Sequence, residues 1–114
     1  MQSTAEDRLA VVYQAYAIAR DEQESDIAAA TSDQQADAIR AHVNTLELIY
    51  LRAEREQLDA GGPAVEAAYQ AAKAAADAAT RAYQRGAALA DRIRAIAGAA
   101  TAVASLVATA TTVA

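Results

Sequence analysis

A single Gly-Gly-Pro segment interrupts a sequence that otherwise favours helix throughout. In "DAGGPAVE", Gly61 suits the left-handed position after the last turn of a helix, and Pro63 suits the first turn of the next helix. The sequence has no other proline, and roughly a third of its residues are alanine, the strongest helix former. The chain is therefore predicted to be all-α, with two helical arms joined by a turn that includes Gly62.

The two arms are similar in length, which predicts a single domain over residues 1–114 built as a long antiparallel hairpin. Arm 1 is expected at about 4–59, the turn at 60–63 and arm 2 at about 64–113. Each arm of roughly 50 residues would be roughly 75 Å long. A heptad pattern of small and apolar residues continues through Gly86 to the end of arm 2. This pattern predicts close, coiled-coil-like packing of alanine-rich helices.

Arm 1 is less regular than arm 2 and contains two capping signals. Ser3 with Glu6 fits a capping box, so the first helix is expected to begin there. Ser32 with Gln35 fits a second capping box, which indicates a possible break near Thr31–Asp33 and hence three helices. Because this place has neither glycine nor proline, we expect a continuous arm and keep the break as the alternative.

The charge balance excludes one class of partner. The net charge is −5 and the estimated pI is 4.7, whereas a general nucleic-acid binder needs clustered cations to neutralise phosphates. The sequence has no cysteine, so disulfide and thiol chemistry are excluded. Its first residues lack the basic leader and long apolar stretch of a signal peptide, which predicts a cytoplasmic location, with membrane association as the alternative.

Catalytic and metal-binding patterns are lacking in the sequence. His42 is the single histidine, and a di-iron bundle would need Glu where Ile39 stands three residues earlier. The acidic run within Asp21–Asp26 lacks the glycine and terminal glutamate of a calcium loop, and is interpreted as a solvated helix face. We therefore expect no enzyme activity, no cofactor and no metal.

The segment "AIAGAATAVASLVATATTVA", Ala95–Ala114, has no charged residue, which allows two interpretations. A length of about 20 uncharged residues could span a membrane, although alanine and threonine partition weakly into lipid. In an antiparallel hairpin the segment would instead lie opposite "LAVVYQAYAIA", the most apolar part of arm 1. We expect these two apolar stretches to contact other copies or a bilayer. The predicted contact residues are Val11, Tyr16, Ile18, Ile96, Val103, Leu106, Val107 and Val113.

Three functions are compatible with these features. The first is a structural protein that forms homo-oligomers through alanine-rich helical seams and apolar helix ends. The alternative is a membrane-active protein, such as a tail-anchored, pore-forming or virion component, that uses residues 95–114. The third is a small acidic helical regulator or chaperone for a basic partner, suggested by the acidic bias of Asp21–Asp26 and Glu54–Asp59.

Overall fold

The computed structural model describes residues 2–111, and within this range all regular structure is α-helical. The four helices are α1 (Ala5–Ala29), α2 (Asp33–Glu56), α3 (Pro63–Gln84) and α4 (Leu89–Thr111). The prediction of an all-α fold is confirmed, but the count of two or three helices is wrong. Each expected arm is divided into two helices that fold back on each other, so the molecule measures 46 × 25 × 17 Å.

Arm 1 is broken where the second capping signal lies. The Ser32 hydroxyl accepts a hydrogen bond from the backbone N–H of Gln35 at 3.1 Å. The side-chain oxygen of Gln35 accepts the backbone N–H of Thr31 at 2.8 Å rather than that of the capping residue. The expectation of a continuous arm is therefore wrong. Capping side chains supply partners for the free N–H groups, so the chain turns here without glycine or proline.

Arm 2 is broken at Gly86, where the heptad pattern predicted a continuous helix. Gly86 adopts φ +66°, the left-handed conformation that glycine reaches without steric strain. The N–H of Ala87 donates to the carbonyl of Ala82 at 2.9 Å, and the N–H of Gly86 donates to the carbonyl of Tyr83 at 3.1 Å. These two bonds form a complete Schellman motif, which ends α3.

The first helix begins one residue later than the sequence pattern suggests. The N-cap is Thr4, which forms a reciprocal capping box with Asp7. Ser3 instead binds the start of α3: its backbone N–H and its hydroxyl both donate to Glu66, at 2.9 and 2.8 Å. Both hydrogen bonds lower the pKa of Glu66 below its ordinary value, and the one from the backbone N–H has the larger effect.

Two antiparallel hairpins, α1–α2 and α3–α4, pack against each other to form the four-helix bundle. Helix α1 lies parallel to α3, as shown by the hydrogen bonds from Ser3 to Glu66 and from Gln14 to Asp77. Helices α2 and α4 also contact each other, and α1 contacts α4 across the bundle. Within residues 2–111, α2 and α3 do not contact each other, so their connection runs diagonally across one end.

The diagonal connection occupies residues 57–62 and is longer than the predicted turn. The left-handed glycine is Gly62, with φ +118°, whereas Gly61 does not have a positive φ, so the prediction for Gly61 is wrong. Pro63 is the first residue of α3. The backbone N–H of Ala60 donates to the carbonyl of Ala110 at 3.3 Å, which ties the connection to the end of α4.

Arg8 holds the connection from inside the bundle, and it is only 4% exposed. Its Nη1 donates to the carbonyls of Leu58 and Ala60 at 2.7 and 3.0 Å. Its Nη2 and Nε donate to the carbonyl and hydroxyl of Ser3 at 2.7 and 3.0 Å. One buried cation therefore satisfies four acceptors in two segments that have no regular structure of their own.

The core combines small residues on some helices with large ones on others. Within residues 2–111, ten of the 21 buried apolar residues are alanines. Helix α3 contributes mainly alanines, which let a neighbouring backbone approach closely. Helix α4 brings larger buried side chains, including Leu106 and Val107, to the same core. Each alanine removes little apolar area from water, so the bundle depends on close packing rather than on large side chains.

A pair of glycine substitutions tests the turn between α3 and α4. Gly86→Ala is expected to lower the free energy of unfolding by about 1–2 kcal/mol, because an alanine at this φ is strained. Gly98→Ala, inside α4 with free space around its new methyl group, is expected to raise it by up to about 1 kcal/mol. Urea denaturation of both variants measures the difference, and equal shifts would contradict the assignment of the turn.

Substitution of Arg8 tests the diagonal connection. Arg8→Lys keeps the charge but cannot serve all four acceptors, so we expect a loss of about 2–4 kcal/mol in the free energy of unfolding. The control is Arg40→Lys on the surface of α2, where the change should be within about 0.5 kcal/mol. Equal losses in the two variants would show that the Arg8 hydrogen bonds are not important for stability.

Candidate functional site

The structure places the predicted contact residues of α4 in the core of its own chain. Ile96, Val103, Leu106 and Val107 are all buried, and each is at most 4% exposed. Helix α4 contacts the other three helices, so the apolar segment serves the bundle itself. These four side chains therefore have no exposed surface with which to meet another molecule while the bundle is closed.

The other predicted contact residues differ in their exposure. Val11 of α1 is buried in the core of the bundle. Tyr16 and Ile18, also on α1, are half-buried and pack against that core. Val113 lies outside the described residues. The hydroxyl of Tyr16 reaches the surface, where it donates to Glu47 at 3.1 Å.

Exposed apolar side chains lie on the opposite side of α2 and were missed by sequence reasoning. Leu48 is 67% exposed and Leu51 is 51% exposed, and Tyr13 of α1 is 41% exposed. The core face of α2 contains Ile39, Val43, Leu46 and Ala53, whose spacing defines the buried seam. The two leucines, three residues apart, do not belong to that seam. Their position off the seam was the sequence feature that could have identified these leucines as exposed.

Three tyrosines form a cluster along the outer boundary of α1 and α2. The ring of Tyr16 stacks on that of Tyr50, with centroids 5.6 Å apart and an interplanar angle of 17°. Tyr13 lies 5.2 Å from Tyr50 and 6.3 Å from Tyr16. The guanidinium of Arg20 lies over the rings of Tyr13 and Tyr16, at 5.8 and 5.1 Å, in cation–π geometry.

The two exposed leucines lie on the outer side of α2, two residues before and one residue after Tyr50 in the sequence. We call the combined set the tyrosine–leucine surface. It consists of Tyr13, Tyr16, Leu48, Tyr50 and Leu51. A groove of about 350 Å³ between the start of α1 and the end of α2 is lined in part by Leu9, Ala53 and Glu54. Tyrosine and arginine are enriched in the cores of protein interfaces, so this surface has the composition of a binding site for protein.

Two groups in and beside the tyrosine cluster have a raised pKa. Partial burial raises the pKa of Tyr50, and the neighbouring Glu54 carboxylate acts in the same direction. Hydrogen bonds with Tyr13 and then Asp21 raise the pKa of Arg20. The surface thus has a cation on α1 at Arg20, while α2 provides the carboxylates of Glu47 and Glu54.

A second group of polar residues is buried at the other end of the bundle. Asp26 is 3% exposed, and one of its carboxylate oxygens accepts the hydroxyl hydrogen of Tyr83. The other oxygen lies 3.6 Å from Nη2 of Arg92. Burial, followed by the hydrogen bond with Asp26, raises the pKa of Tyr83. The three residues come from α1, α3 and α4, so their contacts hold these three helices together.

A cavity of about 10 Å³ lies beside Asp26 and Tyr83 and is also lined by His42. Its volume is that of about one water molecule, far below the several hundred Å³ of a typical ligand pocket. Within residues 2–111, His, Cys, Asp and Glu form no cluster of three that could hold a metal ion. The described structure therefore offers the tyrosine–leucine surface as its candidate functional site.

Comparison with known proteins gives no relative: no family model matches the chain, and no curated protein or solved structure matches it at a significant level.

Alkaline titration tests the buried contact between Tyr83 and Asp26. Tyrosine ordinarily titrates near 10.0, and the pKa of Tyr83 is raised in the folded chain. The unfolded chain therefore loses this proton first, and the free energy of unfolding should fall as the pH rises above 10.0. Tyr83→Phe should show a shallower fall over that range in urea denaturation. Equal slopes in the two proteins would contradict the raised pKa.

Proposed function

We propose that the chain is a non-enzymatic assembly module that forms a homodimer through the tyrosine–leucine surface. The observation that carries this proposal is the exposure of Leu48 and Leu51 on the helix that also contributes Tyr50 to the tyrosine cluster. Single exposed apolar residues are common, but three large ones on the same pair of helices as an aromatic cluster favour an interaction site. The proposal keeps the expected homo-oligomer and a contact on α1, and replaces the expected contact at the chain end with one on α2.

The charges around the surface support a second copy as the occupant. Arg20 lies on α1, whereas Glu47 and Glu54 lie on α2. A two-fold axis that runs along the helices would place α1 of one copy opposite α2 of the other. Arg20 would then lie within about one helical turn, along the axis, of Glu47 in the other copy, and the apolar residues would meet at the centre.

The composition of the core also favours self-association. A bundle with many buried alanines removes less apolar area from water than one with leucines, so it gains less stability from folding alone. Leu48, Leu51 and Tyr13 are the large apolar side chains that remain exposed among the described residues. Their burial between two copies would add to the area that the small core lacks.

A double substitution at the leucines tests the dimer. For the wild-type chain we expect a molar mass that rises with concentration to twice the monomer value in analytical ultracentrifugation. Leu48→Asp with Leu51→Asp should weaken dimerisation at least tenfold, because four carboxylates would be brought together in the contact. The helix content should not change, since both side chains are exposed.

The matched control places the same charges elsewhere. Ala71→Asp with Ala74→Asp introduces two carboxylates three residues apart on the exposed face of α3. This variant should dimerise like the wild type. A monomeric wild-type chain at all concentrations would overturn the proposal, and so would equal weakening by the two double variants.

A further inference from the structure

Helix α4 has the length and polarity of a membrane-spanning helix, although it lies in the bundle. It has 23 residues, or about 34 Å at 1.5 Å per residue, and its most apolar 18-residue stretch has a mean hydropathy of 1.6. It is the single helix within residues 2–111 that is long and apolar enough to cross a membrane. Its charged residues, Asp91, Arg92 and Arg94, all lie in its first two turns. The uncharged part of α4 after Arg94 has 17 residues, or about 26 Å, at the short end of the range that spans a hydrocarbon core of about 30 Å.

The threonine hydroxyl groups on α4 donate within the helix itself. The side chain of Thr101 donates to the carbonyl of Ala97 at 3.1 Å. Thr109 and Thr111 donate in the same way to the carbonyls of Ser105 and Val107, both at 2.7 Å. A hydroxyl that is bonded four residues back needs no water and no neighbouring helix. These threonines can therefore enter hydrocarbon with their hydroxyl hydrogens still bonded.

The bundle holds α4 by polar ties near its two ends. At its start, Arg92 lies 3.6 Å from the carboxylate of Asp26 and 5.4 Å from the centre of the Tyr83 ring. At its end, the carbonyl of Ala110 accepts the N–H of Ala60 at 3.3 Å, and Thr111 accepts from Arg52 at 3.3 Å. Along its length it packs on α3, whose buried residues are mainly alanines. Separation of α4 therefore exposes little apolar surface on α3, whereas α1 and α2, which also contact α4, would expose larger core side chains such as Val12 and Leu46.

The geometry points to an anionic phospholipid bilayer as the partner of α4, which would leave the bundle by opening at the turn around Gly86. Exposed Arg81, Arg85 and Arg94 lie on either side of that turn, where they would meet lipid phosphates. The turn is short and exposed, and the chain has no disulfide to hold α4 in place. Inserted α4 would contact lipid tails instead of the other helices, and its arginines would lie at the headgroups.

A tryptophan reporter tests insertion directly, because the chain has no tryptophan of its own. Ser105→Trp lies on the exposed face of α4, and Ala74→Trp lies on the exposed face of α3. Each full-length variant is mixed with vesicles of phosphatidylcholine and phosphatidylglycerol that carry brominated acyl chains. Insertion predicts quenching of the S105W variant several-fold greater than that of the A74W variant. No quenching of either variant, or equal quenching of both, would overturn the inference.

A second substitution separates insertion from unfolding. Thr101→Lys places a charge on a residue that is exposed in the bundle, so circular dichroism in buffer should be unchanged. The same lysine would lie near the middle of an inserted α4, where a charge is strongly unfavourable. Adding T101K to the S105W variant should therefore abolish most of the quenching. Quenching that persists would show adsorption of the closed bundle and overturn the inference.

Lipid composition and the dimer surface give two further readouts. Vesicles of phosphatidylcholine alone should give severalfold weaker quenching than the anionic mixture at low salt, and equal quenching would overturn the role of the arginines. The L48D/L51D substitutions, added to the S105W variant, should leave quenching intact. Insertion and dimerisation are therefore measured separately, and either proposal can fail without the other.

Discussion

The buried guanidinium of Arg8 determines how the two halves of this bundle are joined. Most connections in helical bundles link helices that contact each other, but α2 and α3 do not contact each other within the described residues. Residues 57–62 must therefore cross one end of the bundle, where Leu58 is buried. Arg8 supplies donors to two carbonyls of this segment and to Ser3, while Ala60 binds the end of α4. The diagonal arrangement of the helices depends on this small set of hydrogen bonds, since an unpaired buried carbonyl is costly.

The fold class followed from the sequence, but the number of helices did not, because helix ends depend on weak local signals. Pro63 begins α3 as its residue type predicts. Gly86 fits a heptad as a small residue, and the same residue type also fits the left-handed end of a helix. The choice between these roles depends on whether the chain is more stable with α4 folded back on α3 than with the two helices joined into one continuous helix. That gain comes from contacts between residues distant in sequence, which periodicity alone does not contain.

The candidate site was hard to predict for a related reason. An apolar segment without charges has the same composition whether it fills a core, meets another copy or enters a bilayer. Ile96, Val103, Leu106 and Val107 are buried because three other helices surround α4, and a hairpin model supplied only one such neighbour. Leu48 and Leu51 carried a better signal, since they lie off the seam of α2. This signal could be used only once it was known which side of α2 faces the core.

The division into two hairpins has a consequence for the order of folding. Each hairpin joins helices that are close in sequence, so the entropy lost in closing either one is small. Docking of α1–α2 on α3–α4 instead brings together residues more than sixty positions apart, such as Ser3 with Glu66 and Gln14 with Asp77. We expect the hairpins to form early and their docking to limit the folding rate, as the contact order of each step implies. The alanines of α3 would then be covered partly by α4 in the early hairpin and fully only on docking, and an undocked hairpin would be the species most exposed to misassembly.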